Sequence, residues 1–206
     1  MKNKFKVLIA TAALASFAFV VPAKNSGDKL VIVIDAGHGG KDFGATHDAI
    51  SEKMITEQIS KKIKALNKNA NVEIHLTRDS DTFTELKDRT QMINALHPDV
   101  VLSLHVEANP SEFKSGVGMY VGKDNVEKQK SFSLAGKLGE KLSEKHSFEI
   151  GRIQEAPFYI LKNSNAPTVL LELGYITNYN DRKYLTSDQE QQKIATTILE
   201  WINEVK

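Results

Sequence analysis

The sequence predicts an α/β fold, a three-layer sandwich with a mostly parallel central sheet flanked by helices. Three observations predict it. Short runs of β-branched and aliphatic residues alternate with longer stretches whose apolar residues recur at helical spacing. Several of the short runs are apolar at nearly every position, as expected of strands buried on both faces of a parallel sheet. No internal repeat and no Pro- or Gly-rich linker breaks the alternation, so one domain from about Leu30 to Val205 accounts for it.

Each element has its own signal. "LVIVIDA" is a continuous strand-like run ending in an acid. "SEKMITEQISKKIKAL" sets Ile55, Ile59, Ile63 and Leu66 on one helical stripe, with Ser51 placed as N-cap. "VEIHL" alternates through Val72, Ile74 and Leu76, and "TELKDRTQMINALH" reads as a helix that stops before Pro98. "DVVLSLH" is a second buried-type strand, and "GVGMYVG" a shorter one between glycines. "SLAGKLGEKLSEK" carries Leu134, Leu138 and Leu142 on one stripe, and "TVLLELG" is a third near-continuous strand. "SDQEQQKIATTILEWINEV" opens with a Ser187/Glu190 capping box and buries Ile194, Ile198, Trp201 and Val205.

The N-terminus reads differently. Lys2, Lys4 and Lys6 precede the apolar "VLIATAALASFAFVV", and "VPA" then ends at Ala23 before the polar "KNSGDK". This is the pattern of a secretory signal peptide, expected to span residues 1–23, with the catalytic domain at 24–206. Export follows, to the periplasm or the cell wall and medium, with no stable membrane insertion after cleavage. The 206 residues and 41% apolar content suit one globular domain. A net charge of +1 gives no polybasic footprint for nucleic acid. The chain has no Cys, which removes disulfides, thiolate ligands and a Cys nucleophile together. Nothing points to an obligate oligomer, so a monomer is expected.

The chemistry is expected beyond the carboxyl ends of the strands, where open parallel sheets place their sites. His38 follows "VIVIDAG", His105 ends "VVLSLH", and Glu172 ends "TVLLE". Glu52 falls in the first turn of the helix after the first strand and can hang over the same edge. Two imidazoles and one carboxylate leave one zinc position open to water, the ligand count of a catalytic site. Zinc lowers the pKa of such a water to about 7. A second carboxylate can take the proton and return it to a leaving amine. His38, Glu52 and His105 are therefore candidate ligands of one zinc ion per chain, and Glu172 the candidate general base and acid.

Taken singly, each residue has an ordinary structural explanation. A strand-end His can be a hydrogen-bonded core residue, and Glu52 a helix N-terminal acid favoured by the dipole. Glu172, between Leu171 and Leu173, is costly to bury unpaired. The convergence of all four at one sheet edge carries the reading. Asp35, three residues before His38, is expected to fix an imidazole from behind. The glycines around His38 let backbone approach the site closely. His47, His75, His97 and His146 are expected on loops or exposed faces, His146 at a solvated helix end. Competing motifs are missing: the chain has no H-E-x-x-H, no G-x-S-x-G elbow to accompany "HGG", and no phosphate-loop spacing in "GHGGKD".

These residues resemble the zinc-dependent N-acetylmuramoyl-L-alanine amidases of bacterial cell walls, the amidase type 3 family. "VIVIDAGHGGKDFGA" is similar to its opening strand and first ligand loop, with His38 as ligand, and "SEKMI" to its glutamate-bearing helix start, with Glu52 as ligand. "LTRDSDTFTELKDRTQMINALHPDVVLSLH" resembles its central block ending in the ligand His105, and "FYILKNSNAPTVLLELGYITN" its closing block with the catalytic Glu172. The resemblance implies one α/β domain, one zinc ion, export, and cleavage of the peptidoglycan amide between the lactyl group of N-acetylmuramic acid and L-alanine. Departures exist. "HVEANP" replaces the usual "HANA"-like stretch and adds Glu107 near the site, and Thr56 stands where the family often has Asn. A slip of register would make Glu57 the ligand in place of Glu52. Residues 122–152 hold little more than one helix where some relatives carry a longer regulatory segment, so the site is expected to be open without an activator. Two alternatives remain: a non-catalytic peptidoglycan-binding protein, and a zinc peptidase that cuts within the stem peptide.

Overall fold

The first apolar run forms β1 (Leu30–Ala36). A two-stranded ribbon of β2 (Thr46–His47) and β3 (Ile50–Ser51) leads into α1 (Glu52–Leu66). Next come β4 (Val72–Leu76), α2 (Leu86–Ala95) and β5 (Val100–Glu107). Then follow β6 (Val117–Gly122), α3 (Lys128–Lys145), β7 (Ile150–Ala156) and α4 (Tyr159–Asn163). The last elements are β8 (Thr168–Tyr175), α5 (Tyr179–Thr186) and α6 (Asp188–Asn203). The structure is a computed structural model that describes residues 29–147 and 149–205, so the expected leader at residues 1–23 lies outside the described residues.

Six strands form one sheet in the order β4-β1-β5-β8-β6-β7. Every neighbouring pair is parallel except β6 with β8. Side chains alternate between the two faces of each strand. Ile32 and Ile34, Leu102 and Leu104, and Leu171 and Leu173 therefore share one face, where they pack with the buried stripes of α1, α3 and α6. Val33 and Val101 face the other way, against Ile93 of α2 and Ile160 of α4. The result is three layers, with helices on both sides of a mostly parallel sheet.

The expected stripes do the packing. Ile55, Ile59, Ile63, Leu134, Leu138, Leu142, Ile194, Ile198 and Trp201 are all buried. Two local signals are only partly used. Ser51 occupies the N-cap of α1 without a side-chain cap bond, whereas Ser187 Oγ accepts from Glu190 N–H at 3.4 Å. Strand β7 had no clear signal, because "IGRIQEA" mixes apolar and charged residues; it lies at a sheet edge, where such a mixture is tolerated and discourages pairing with other chains.

One buried charge ties the site end of the sheet together. Asp35, 1% exposed, accepts at Oδ1 from Thr77 Oγ1 (2.7 Å) and Arg89 Nη1 (3.0 Å), and at Oδ2 from Ser103 Oγ (2.7 Å). Burial alone would raise its pKa, but Arg89 and the two hydroxyls outweigh it and hold the carboxyl below its ordinary 3.8. The stability this contributes is present above the unfolded pKa of about 4 and is lost as pH falls through the lower folded value. Asp35→Asn is expected to cost about 3–5 kcal/mol in urea unfolding at pH 7, since it leaves Arg89 buried without its counter-charge. The difference from wild type should shrink at pH 3; an equal difference at both pH values would contradict the assignment.

Candidate active site

Strands β5 and β8 pair in parallel with His105 opposite Glu172. By alternation both side chains share a face with Val101, the face covered by α2 and α4. Gly118 of the antiparallel β6 lies opposite Glu172 on its other side. It places no side chain there, and the Tyr120 ring lies over the space instead, 3.3 Å from where a Cβ would stand. The ladder is irregular between His105 and Glu107. Within this bulge the Val106 N–H donates to Glu52 Oε1 at 3.0 Å.

Glu52 is the first residue of α1 and is almost wholly buried. Its Oε1 lies 2.8 Å from His105 Nδ1, and its Oε2 lies 3.0 Å from His38 Nε2 and accepts from Ala45 N–H at 2.8 Å. The two imidazole rings meet edge to face with centroids 5.2 Å apart. One donor atom each from His38, Glu52 and His105 lies within 4.8 Å of the others. Two imidazole nitrogens and a carboxylate oxygen at this spacing suit a divalent metal ion with a coordination position left for water.

The loop that carries His38 is shaped for close approach. A Cβ at Gly37 would come 2.6 Å from His105 Cε1, and one at Gly44 would come 2.3 Å from Glu52 Oε2. His38 itself has φ 61, the left-handed region that side chains disfavour.

The charges are strongly coupled. Burial opposes ionisation of Glu52, yet hydrogen bonds from His105 and His38 bring it down to about 2. Burial likewise disfavours a proton on His38, but Glu52 and Asp42 raise it to about 9; His105 is raised by Glu52 and Glu172. Glu172 moves the other way. Burial pushes it up to about 7, assisted by Glu52 and Glu107 and opposed by His105 and His38. Its Oε2 is buried and has no hydrogen-bond partner among the described residues. A carboxyl held near neutrality suits a group that accepts and returns a proton.

His38, Glu52, His105 and Glu172 thus come together at one sheet edge. Other expectations are corrected. Asp35 touches neither imidazole; its oxygens are taken by Thr77, Ser103 and Arg89. The carboxylate behind His38 is Asp42, whose Oδ2 lies 2.8 Å from Nδ1. Glu57 turns away to Lys61 and Arg78, which leaves Glu52 as the acid at the site. Glu107 lies near enough to Glu172 to raise its proton affinity. His146 is no solvated helix end. It is 8% exposed, with Nδ1 2.7 Å from Tyr184 Oη and Nε2 2.9 Å from Thr197 Oγ1. The polar tail of α3 concealed a position that folds back onto α5 and α6. Asp42 went unnoticed because a loop carries no periodicity.

A cleft of about 480 Å³ opens beside these residues, walled by Phe83 and Leu86 on one side and Phe158 and Tyr159 on the other. Helix α4, not anticipated as a separate element, supplies the second wall.

The family model for N-acetylmuramoyl-L-alanine amidase matches residues 32–204. The chain belongs to that family. Among relatives, it is 35% identical over 181 residues to the probable cell wall amidase LytH of Staphylococcus saprophyticus, covering 86% of this chain and 58% of that protein. This chain therefore spans under two thirds of that relative. It is 28% identical over 223 residues to the N-acetylmuramoyl-L-alanine amidase AmiA of Escherichia coli, covering 87% of this chain and 77% of AmiA. Among solved structures, the catalytic domain of the amidase CwlV from Bacillus (Paenibacillus) polymyxa superposes with a TM-score of 0.78 at 30% identity, covering 85% of this chain and 99% of that domain. Among the described residues no helix is long and apolar enough to cross a membrane.

The packing around this family member's site gives a direct test. Gly37→Ala drives a methyl group into the His105 ring and the Leu104 carbonyl. It is expected to weaken divalent-metal affinity by at least about tenfold, as loss of ligand support does. Gly136→Ala, where a Cβ meets nothing within 4 Å, should leave the affinity unchanged and raise stability by about 0.5–1 kcal/mol. Chelator competition and thermal melts measure both.

Proposed function

We propose that this chain is an exported zinc amidase that hydrolyses the amide between the lactyl group of N-acetylmuramic acid and L-alanine in peptidoglycan. The observation that carries the reading is Glu172: a half-buried carboxyl with one buried, unpartnered oxygen, beside two imidazoles and Glu52, at the head of an open cleft. His38, Glu52 and His105 are the residues that would hold the ion, one per chain. Their donor set is borderline in softness, which suits zinc, and their spacing suits a single ion. When bound, zinc supplies a Lewis acid that polarises an amide carbonyl and acidifies water.

The chain's own residues do the rest. Glu172 takes a proton from the attacking water as the new C–O bond forms. It then hands the proton to the departing nitrogen as the C–N bond breaks. The products are a free lactyl carboxylate on the glycan and a stem peptide starting at L-alanine. Asp42, on the far nitrogen of His38, holds that ring's orientation. The apolar walls of Phe83, Leu86, Phe158 and Tyr159 shed water from the reacting centre.

The same reading includes a cleaved leader at residues 1–23, a catalytic domain at 24–206, a monomer, and a site that works without an activator. Between β6 and β7 the chain forms only α3, and no residue of α3 lines the cleft.

Mass spectrometry of soluble products from peptidoglycan sacculi, with zinc present, tests the reaction. Free stem peptides beginning at L-alanine are the expected result. Cuts inside the stem would make the chain a peptidase, and binding without products a non-catalytic wall protein. Glu172→Gln is expected to lower turnover by about 10²–10⁴-fold while leaving zinc affinity within a few-fold of wild type. Chelation should abolish turnover, and added zinc restore it.

A further inference from the structure

Two buried arginines grip the backbone that presents His38. Strand β1 ends at Ala36, and beyond it the carbonyls of Ala36, Gly37 and His38 leave the sheet ladder. Each of the three accepts a guanidinium hydrogen. Arg78 donates from Nε to the Ala36 carbonyl at 3.1 Å and from Nη2 to the Gly37 carbonyl at 3.0 Å. Arg89 donates from Nη1 to the Ala36 carbonyl at 2.6 Å and from Nη2 to the His38 carbonyl.

Both side chains are anchored from behind. Arg78, 5% exposed, also bonds Lys53 O on α1 at 2.8 Å and Glu57 Oε2 at 2.8 Å. Arg89, 2% exposed, bonds Asp35 Oδ1 at 3.0 Å and Thr84 O at 3.1 Å. The loop is thereby bound to α1, α2 and β1 at once. It has reason to be held, since His38 keeps a left-handed backbone without being glycine. Two guanidiniums are costly to take out of water unless every donor finds a partner. Here four of their ten hydrogen bonds go to the carbonyls of one short loop, and the other six tie the two side chains to the elements around it.

We infer that Arg78 and Arg89 are positioning residues that fix the Ala36–His38 backbone in its site-forming shape before any metal arrives. The inference rests on the reading of His38 as a ligand. Arginine is required because a planar fork can bond adjacent carbonyls and a carboxylate together, whereas an ammonium group is a single point of charge. The sequence holds a faint trace of this: Arg89 lies four residues before Ile93, on the inward face of α2.

The test uses the purified full chain and four proteins: wild type, Arg78→Lys, Arg89→Lys and Leu138→Ala. Leu138 of α3 is buried in the aliphatic layer, makes none of the loop's hydrogen bonds, and controls for lost stability. Zinc affinity is read by chelator competition, and site geometry by the visible spectrum of the cobalt(II)-substituted protein. Each lysine variant is expected to bind zinc about 10–100-fold more weakly, with an altered cobalt spectrum, while Leu138→Ala keeps wild-type affinity and spectrum. Wild-type affinity and spectrum in both lysine variants would overturn the inference.

A measurement on wild type alone guards against variants that do not fold. In chelator-stripped protein, the Gly37 and Gly39 amides, which donate to the Leu104 and Asp42 carbonyls, should already be protected from hydrogen exchange. Fast exchange that slows only on adding zinc would overturn the inference, because the metal would then be ordering the loop. Failure of the underlying reading looks different: His38→Ala would bind zinc as tightly as wild type.

Discussion

The register of β5 against β8 is the constraint on which the site depends. Opposing His105 and Glu172 in a parallel pair puts both side chains on one face in the C-terminal halves of their strands. A slip of one residue in either strand would turn its polar group into the aliphatic layer built by α1, α3 and α6. Leu104 and Leu171, which precede these residues on the opposite face, make such a slip costly. The hydrophobic pattern that folds the sheet is thus also what aims the chemistry. The bulge beyond His105 adds a second use, releasing the Val106 N–H toward Glu52.

The two glutamates show how environment divides one residue type into two roles. Glu52 sits among imidazoles and backbone N–H groups and is driven to about 2. Glu172 is half-buried but lacks donors, and desolvation lifts it to about 7. One carboxylate is a fixed negative charge for a cation to meet. The other is a proton carrier, and a nearby dication would draw its proton affinity down. Neither role is a property of the side chain alone.

The layers, the strand order of events along the chain and the four residues at the sheet edge were legible in the sequence. Continuous aliphatic runs and helical stripes are burial written directly into residue order. What was not legible depended on contacts between distant segments. Asp35 was read as a partner for histidine because it is near His38 in the chain; folding gives it to Thr77, Ser103 and Arg89 instead. His146 looked exposed because its neighbours are polar, yet α5 and α6 close over it. Strand β7 escaped notice because an edge strand need not be apolar on both faces. Arg78 and Arg89 lie in a stretch rich in charge, where nothing local separates a buried arginine from a solvated one.

The reversed direction of β6 has a consequence for how such a domain can diversify. A parallel neighbour must be reached by a crossover from one end of the sheet to the other. Because β6 runs against β8, the connection over residues 108–116 leaves β5 and enters β6 at the same end, the end that holds the site. Phe113 stands almost fully exposed along it. Lengthening or rewriting this segment would change the surface at the site end of the sheet without moving a strand or a helix. The fold offers a place where selectivity can be revised independently of stability.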